Sequence, residues 1–254
     1  MPPRSFSLSL AAVDMLSQVL RVNCRLYPFQ IPSFGEFDED RRRIAKLVFT
    51  DLTNRGLIRH NSIDTDVETA LKVTGDHDVA VAMSGSIDPK CDIQARAAAA
   101  GTAGVLAVQE GQSIRFEVIS PLGLARSLVA LLPPLGPGPG QSVQVVQAAP
   151  EARAEGFTEA VRAPRSSSDA QLRMAAAMLE RPRKGFGFFM VSARGRHGRE
   201  VDTGTVGWID TDAGRYLMVS KPGAEGEVRA TYSPADSTRL AQQLTELIDE
   251  SRRR

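Results

Sequence analysis

Cysteine, histidine and net charge are all scarce in this chain of 254 residues, and each shortage excludes a class of protein. The two cysteines form no C-x-x-C pair, so neither a disulfide framework nor a cysteine zinc site is expected, and their number suits the reducing cytoplasm. The 31 basic residues are balanced by 30 acidic ones. A net charge of +1 provides no overall field to attract nucleic acid or anionic lipid, so we expect no nucleic-acid partner.

Long apolar runs are missing as well. No stretch approaches the roughly 18 consecutive apolar residues of a membrane-spanning helix, so we expect no membrane insertion. Near the N-terminus Arg4 is a single basic residue and polar residues soon interrupt the apolar ones, which is not the pattern of a signal peptide. With 42% apolar and 24% charged residues, the composition is that of an ordinary globular protein, which we expect in the cytoplasm.

Motifs for catalysis or metal binding are also missing from the sequence. None of the three histidines has a partner at metal-ligand spacing, and there is no G-x-S-x-G, Walker A or H-E-x-x-H motif. We therefore predict no enzyme, no metal and no cofactor. One alternative stays open, a small-molecule-binding or enzymatic α+β protein with a site near His77 or Asp210. Residues 210–214 contain two carboxylates that could bind a cation, but a β-turn needs the same residue types and we favour the turn.

A Pro- and Gly-rich linker, residues 133–142, divides the chain into two halves that follow the same order of elements. Each half has helices, a run of strands, Ser-Pro and a closing amphipathic helix. We predict an α+β fold in which residues 1–132 and 143–254 form one compact, pseudo-symmetric unit. It would have a central, mostly antiparallel sheet and two helical bundles.

The apolar spacing also predicts local boundaries. We expect Ser9 to cap the first helix, residues 84–89 to form a turn, and the alanine-rich residues 93–100 to be either helix or strand. Ser120-Pro121 and Ser233-Pro234 are expected to start the closing helices, with Asp236 at the third helical position. In the second half we predict helices near 151–162 and 167–181, and strands at Phe186–Ala193, Val201–Ile209, Arg215–Ser220 and Glu227–Tyr232.

The order of motifs along the chain carries a resemblance. From Val201 to Tyr216 the sequence VDTGTVGWIDTDAGRY contains a strand, Asp-Thr, a turn, Gly-Arg and another strand. A Gly-containing turn, a strand and a Pro-started helix follow. In the first half, residues 52–57 (LTNRGL) follow a charged helix, and Asp64 and Asp66 start the next one. This order resembles the EspG family over nearly the whole chain.

The resemblance implies a cytosolic chaperone. Members of this family bind the PPE-subunit tip of PE–PPE heterodimers, keep them soluble and direct them to a type VII (ESX) secretion system; whether this chain also forms a homodimer stays open. The family's binding surface lies on the sheet and the C-terminal bundle. By position it implies partner contacts from nine residues, which are Leu172, Met174, Met178, Leu179, Arg194, Arg196, Thr203, Thr205 and Trp208.

Alternatives remain for several of these residues. Leu172, Leu179 and Trp208 could instead belong to the core. The basic loop that contains Arg194 and Arg196 is either solvated surface or a patch that steers a partner.

Overall fold

The computed structural model describes residues 5–148, 169–194, 200–222 and 227–253, and within these ranges ten strands form one sheet. The first half contributes β1 (Ser5–Ser9), β4 (Val79–Asp88), β5 (Cys91–Ala100), β6 (Ala103–Glu110) and β7 (Ser113–Ile119). The second half contributes β8 (Val143–Ala148), β9 (Arg183–Arg194), β10 (Glu200–Thr211), β11 (Gly214–Pro222) and β12 (Glu227–Pro234). A separate hairpin consists of β2 (Ile58–Arg59) and β3 (Ser62–Ile63).

The strand order confirms the predicted quasi-twofold fold. Across the sheet the order is β1-β7-β6-β5-β4-β9-β10-β11-β12-β8, with every neighbouring pair antiparallel. In each half, the first strand of the chain returns to the outer edge and the other four form a meander. The two halves join at the β4–β9 pair, where Val81 lies opposite Val191 and Gly85 opposite Gly187.

The described helices cover the two sides of the sheet unequally. They are α1 (Leu10–Leu20), α2 (Asp38–Asn54), α3 (Thr65–Gly75), α4 (Leu124–Val129), α5 (Asp169–Leu179) and α6 (Ser237–Arg252). Helices α4 and α6 pack on one side, which we call the closed face, while α1, α2 and α3 pack on the other side over the first-half strands. Helix α5 packs against β8 and Tyr216. None of the described helices combines the length and apolar character needed to cross a membrane.

The closed face holds the larger part of the second-half core. Leu124 and Leu128 of α4 and Leu240 and Leu244 of α6 are buried against apolar side chains of β4, β5, β6, β9, β10 and β11. Trp208 of β10 is fully buried among them. The indole lies over two glycines, because a methyl group at Gly85 or Gly187 would meet the Trp208 ring.

The alanine-rich segment is strand β5, one of the two conformations that its sequence allowed. Ala97 belongs to the core beneath α4, while Ala98 belongs to the core beneath α1–α3. A strand covered by helices on both sides has no polar face, so it lacks the alternation that marks a half-exposed strand. Small side chains let both helical layers approach the sheet.

Three local predictions are wrong. Residues 84–88 do not form a turn but continue β4. Both neighbouring strands supply ladder partners for residues 84–86, and the turn comes at Pro89 and Lys90.

Ser120-Pro121 does not cap α4. The Gly123 N–H donates to the Ser120 carbonyl (2.8 Å), so the pair begins a turn and the helix starts at Leu124.

Ser233-Pro234 likewise ends β12 and does not begin α6. The true cap is Asp236, whose carboxylate accepts from the Arg239 N–H at 2.8 Å. Each closing helix nevertheless starts three residues after its proline, at Leu124 and at Ser237. The Ser9 cap is confirmed by a 3.1 Å bond from the Ala12 N–H. The predicted helix near 151–162 lies outside the described residues, and the one near 167–181 corresponds to α5.

The Pro- and Gly-rich segment packs along β11. The N–H of Arg215 donates to the Gly136 carbonyl (2.9 Å), and the N–H of Gly138 donates to the Arg215 carbonyl (3.0 Å). The phenol of Tyr216 donates to the Pro139 carbonyl at 3.0 Å. Residue 138 has to be glycine because a methyl group there would overlap the Tyr216 ring.

Candidate partner-binding face

On the side of the sheet opposite the closed face, none of the described helices packs over an apolar strip near the middle. We call it the open face and define it by five half-buried or exposed side chains of β9, β10 and β11, which are Phe186, Phe188, Met190, Ile209 and Met218. The strand register places them together, since Phe186 lies opposite Ile209 and the β10 residue between Phe188 and Met218 is Gly207. Phe186 is 52% exposed.

Glycine and small residues make this face flat. A methyl group at Gly207 would meet the Met218 side chain (2.9 Å), so the thioether extends across the position of the missing side chain. Thr205 lies opposite Met190 in the register and is half-buried. Helices α1–α3 border the strip on the first-half side and the α5 cluster with Tyr216 borders it on the other. The result is a shallow apolar groove with a sheet floor and helical sides.

One first-half residue also reaches the open face. The Tyr27 ring stacks on Phe188 with a centroid distance of 6.2 Å and an interplanar angle of 9°, and Tyr27 is 47% exposed. Its carbonyl oxygen accepts a 2.9 Å hydrogen bond from Nη1 of Arg96. Nη2 of Arg96 lies 3.1 Å from Nε2 of His77, whose Nδ1 lies 3.2 Å from the Thr74 carbonyl oxygen.

The two residues of the enzymatic alternative are engaged in separate structural contacts. His77 is buried and bonded to Arg96, whereas Asp210 forms a buried ion pair with Arg215 through two hydrogen bonds of 2.6 and 2.8 Å. Asp210 pairs with Gly185 at one end of β9, and the His77 carbonyl accepts from Arg194 at the other end. Nine residues of strand separate these ends, about 30 Å.

Within the part of the chain that the structure describes, titratable side chains do not converge into a metal site or a catalytic site. There, no cluster of three or more histidine, cysteine or acidic side chains is arranged to hold a metal ion. Two cavities of about 290 and 440 Å³ lie among the first-half helices and the β2–β3 hairpin, and neither is lined by His77 or Asp210. The predicted turn at residues 210–214 is confirmed, with the Thr211 hydroxyl donating to the Gly214 carbonyl at 2.8 Å.

The predicted contact residues of α5 differ in their surroundings. Met174 is 43% exposed and Leu179 is half-buried. Met178 is buried against Val143 and Tyr216 in the cluster that attaches α5 to the sheet. The side chain of Leu172 lies outside the described part of the structure. Tyr232 packs against the same cluster, and partial burial raises the pKa of its phenol.

The predicted contact residues of the strands are spread over both sides of the sheet. Arg194 forms an ion pair with Asp76 and Thr203 donates to the Val191 carbonyl (3.0 Å) at a bulge in β10. Thr205 lies beside the open face, opposite Met190 in the register. Trp208 lies on the closed face in the core, which was the alternative for this residue. Arg196 lies outside the described residues.

The sequence analysis missed the apolar residues of the open face. A signal for them exists between Phe186 and Val191, where the residues that point to either side of the strand are apolar, apart from Gly187. A strand with one solvated side alternates apolar and polar residues, so an apolar run in β9 indicates that both of its sides meet apolar groups. The closed face accounts for one side. The other side of this run is the open face.

An apolar groove lined by an exposed phenylalanine and half-buried methionines is typical of a surface that binds another protein. A sequence model of the EspG family matches residues 9–246, most of the chain. The chain therefore belongs to the EspG family, which comprises type VII secretion chaperones and not enzymes.

The fold has a counterpart among solved structures. It is similar to the Mycobacterium tuberculosis type VII secretion system chaperone EspG5, whose structure was determined in complex with a PE25–PPE41 dimer. The two chains are 14% identical with a TM-score of 0.68, and the match covers 98% of this chain and 96% of that one. At this identity the likeness shows a shared fold. No curated protein matches the sequence.

Proposed function

We propose that this chain is a cytoplasmic chaperone that binds the PPE-subunit tip of a PE–PPE heterodimer, keeps the dimer soluble and directs it to a type VII (ESX) secretion system. The observation that carries the proposal is the open face, an apolar strip that a monomeric protein would otherwise expose to water. The complex of the structurally similar EspG5 with a PE25–PPE41 dimer indicates the class of partner.

The chemistry of the strip suits an apolar helical tip. Exposed apolar patches on a secretion substrate promote aggregation unless another surface covers them. A groove with a sheet floor and helical sides accepts the apolar side of a helix. Met190 and Met218 have flexible thioether side chains that adapt to irregular partner surfaces, and Phe186 provides a large apolar contact.

We propose the five residues of the open face, together with Thr205 and Met174, as the main contacts. Leu172, Leu179, Arg194, Arg196 and Thr203 remain proposed contacts. Met178 and Trp208 are buried, so we assign them the role of holding α5 and β10 in place beneath the contact residues.

Co-expression with each PE–PPE pair encoded in the same genome, followed by size-exclusion chromatography, tests the proposal. We expect a stable complex with at least one pair, and insoluble PE–PPE protein when the chaperone is omitted. Phe186→Ser is expected to weaken the complex by about tenfold or more, since truncating a central aromatic contact typically costs over 1 kcal/mol.

Leu122→Ser provides the matched control. Leu122 is 82% exposed but lies in the turn before α4, next to the Arg252 contact with Pro121. This change removes an exposed apolar side chain of similar character and should leave the affinity unchanged. Failure to bind any PE–PPE pair would contradict the proposed function, and equal effects of the two substitutions would contradict the proposed location of the binding surface.

A further inference from the structure

The contact between Tyr27 and the open face joins parts of the chain that belong to different halves. Tyr27 lies between α1 and α2, whereas Phe188 is a β9 residue, and the nearly parallel rings leave Tyr27 47% exposed. One side of the phenol ring is therefore covered by Phe188 and another remains accessible. A flat aromatic surface of this kind adds contact area at a small cost in conformational entropy.

The position of Tyr27 depends on a buried arginine. Arg96 is 2% exposed, and its cross-strand neighbours are Ala82 in β4 and Ala107 in β6. Two alanines beside it leave room for the guanidinium to reach the Tyr27 carbonyl. Within the described residues, Arg96 is the group that donates a hydrogen bond to the Tyr27 carbonyl.

A second residue fixes the direction of the guanidinium. The Thr74 carbonyl is an acceptor, so the Nδ1 of His77 carries the hydrogen and its Nε2 accepts from Nη2 of Arg96. His77 is itself buried at the end of α3, next to the start of β4. Arg96 is thus held at one side by His77 and presents Nη1 to Tyr27 at the other.

Burying a guanidinium in an alanine-rich sheet costs stability that an apolar side chain of similar volume would not. The geometry supplies a reason for an arginine, because a methionine or leucine at position 96 would fill the space but would leave the Tyr27 carbonyl without this donor. Phe29 and Ile31 are buried in the adjacent core, so the rest of the segment is anchored independently. Arg96 contributes the hydrogen bond that places residue 27.

We propose that Tyr27 is a specificity-determining contact of the open face and that Arg96 is the residue that positions it. The proposal rests on the proposed function, since the partner that packs on the exposed side of the Tyr27 ring is the apolar helical tip of the PE–PPE dimer. The first half of the chain then contributes to partner selection through a single ring.

Positioning is tested in the free protein by ¹⁹F NMR after labelling the three tyrosines with 3-fluorotyrosine. Tyr27→Phe assigns the Tyr27 signal. Phe188→Leu shows how much of the ¹⁹F chemical shift of Tyr27 is due to stacking on the Phe188 ring. Arg96→Met is expected to move the signal to the position of an unstacked fluorotyrosine. An unchanged signal in Arg96→Met would overturn the positioning role.

Gln109→Ala is the matched control for loosening of the same segment, because the Gln109 side chain accepts from the Gln30 N–H at 2.9 Å. This substitution should leave the Tyr27 signal in place. If it moves the signal as far as Arg96→Met does, the effect is general loosening of the segment and the specific role of Arg96 is wrong.

The specificity role is tested by titrating the cognate PE–PPE dimer. We expect Tyr27→Ala and Arg96→Met each to lower the affinity by about tenfold. The double variant should lose no more than either single one, because Arg96 acts through Tyr27. If Arg96 acted independently of Tyr27, the affinity losses of the two single variants would multiply in the double variant, and this would overturn the proposal. Unchanged affinity in Tyr27→Ala would also overturn it.

The two proposals fail in distinguishable ways. If the unaltered chain binds no PE–PPE dimer, the proposed function and the specificity role of Tyr27 are both wrong, while the NMR result still decides whether Arg96 positions the ring. If the unaltered chain binds a dimer and Tyr27→Ala binds it equally well, the proposed function stands and the specificity role is wrong.

Discussion

The ion pair between Arg215 and Asp210 is deeply buried, and it yields a quantitative prediction. The Arg215 side chain is 0% exposed and that of Asp210 is 4% exposed. Besides two hydrogen bonds to Asp210, the guanidinium donates to the Pro133 carbonyl (2.8 Å) and to the Ser237 hydroxyl (3.1 Å). One side chain therefore connects β10, β11, the Pro- and Gly-rich segment and the first residue of α6.

Arg215→Met is expected to reduce the free energy of unfolding by about 3–5 kcal/mol, because it leaves a buried carboxylate without a cation. The lost donors to Pro133 and Ser237 add to this cost. A folded domain is typically stable by about 5–15 kcal/mol, so the variant should still fold. With a urea m-value of about 3 kcal/mol/M, the unfolding midpoint should fall by about 1–2 M.

Urea unfolding followed by fluorescence measures this effect, since Trp208 is the chain's single tryptophan and is fully buried. Asp210→Leu should cost a similar amount, and the double variant with Arg215→Met should cost less than the sum because no charge stays buried alone. Arg115→Met is the control: its ion pair with Glu110 is partly exposed and should contribute less than about 1 kcal/mol. Additive losses, or an Arg215→Met effect as small as the control's, would refute the reasoning.

Two further predictions concern the thiols and the glycines beneath the tryptophan. Native protein should react with a disulfide reagent at Cys91 alone, because Cys91 is exposed. Cys24 is buried, and burial raises the pKa of its thiol, so it should react only after unfolding. Reaction of both thiols in the folded protein would contradict this. Gly187→Ala should destabilise the fold by about 1–3 kcal/mol or more, because the new methyl group would overlap the indole and a β4 carbonyl oxygen. Gly136→Ala is the control in the same urea assay, because a methyl group added at Gly136 would meet no other part of the protein within 4 Å. Equal losses of stability in the two variants would show that the overlap at Gly187 is relieved without cost.

The sequence predicted the strands of the second half better than the starts of the closing helices. The strands follow from local apolar patterns, whereas the helix starts depend on contacts with residues distant in the sequence. Strands β9 to β12 have apolar patterns that a local window detects. At Ser233-Pro234, the local signal favours a helix start, but Pro234 lies opposite Tyr216 and the ladder with β11 extends the strand to that residue. A cross-strand partner that is distant in the sequence decided the boundary.

The same limit applies to the candidate site. Phe186 to Met190 could be recognised as apolar on both sides, but which side is covered depends on where α4 and α6 pack. Trp208 illustrates the consequence: the resemblance implied a partner contact at its position with the core as the alternative, and the register placed the indole on the closed face over Gly187. Tyr27 could not be found at all from local sequence, since its position depends on Arg96, 69 residues away.

The quasi-twofold sheet and the packing of the described helices together account for an asymmetric surface on a fold with two related halves. The strand order is the same in both halves, so the strands alone would offer two equivalent surfaces. In the first half, α1, α2 and α3 cover that side over β5, β6 and β7, while in the second half α5 packs near the outer edge. The strip over which no described helix packs therefore begins at the seam between the halves and extends over β9, β10 and β11, with Tyr27 at its border. A single partner that lies across this seam would contact both halves, and substitutions on either side of it should affect the same binding equilibrium.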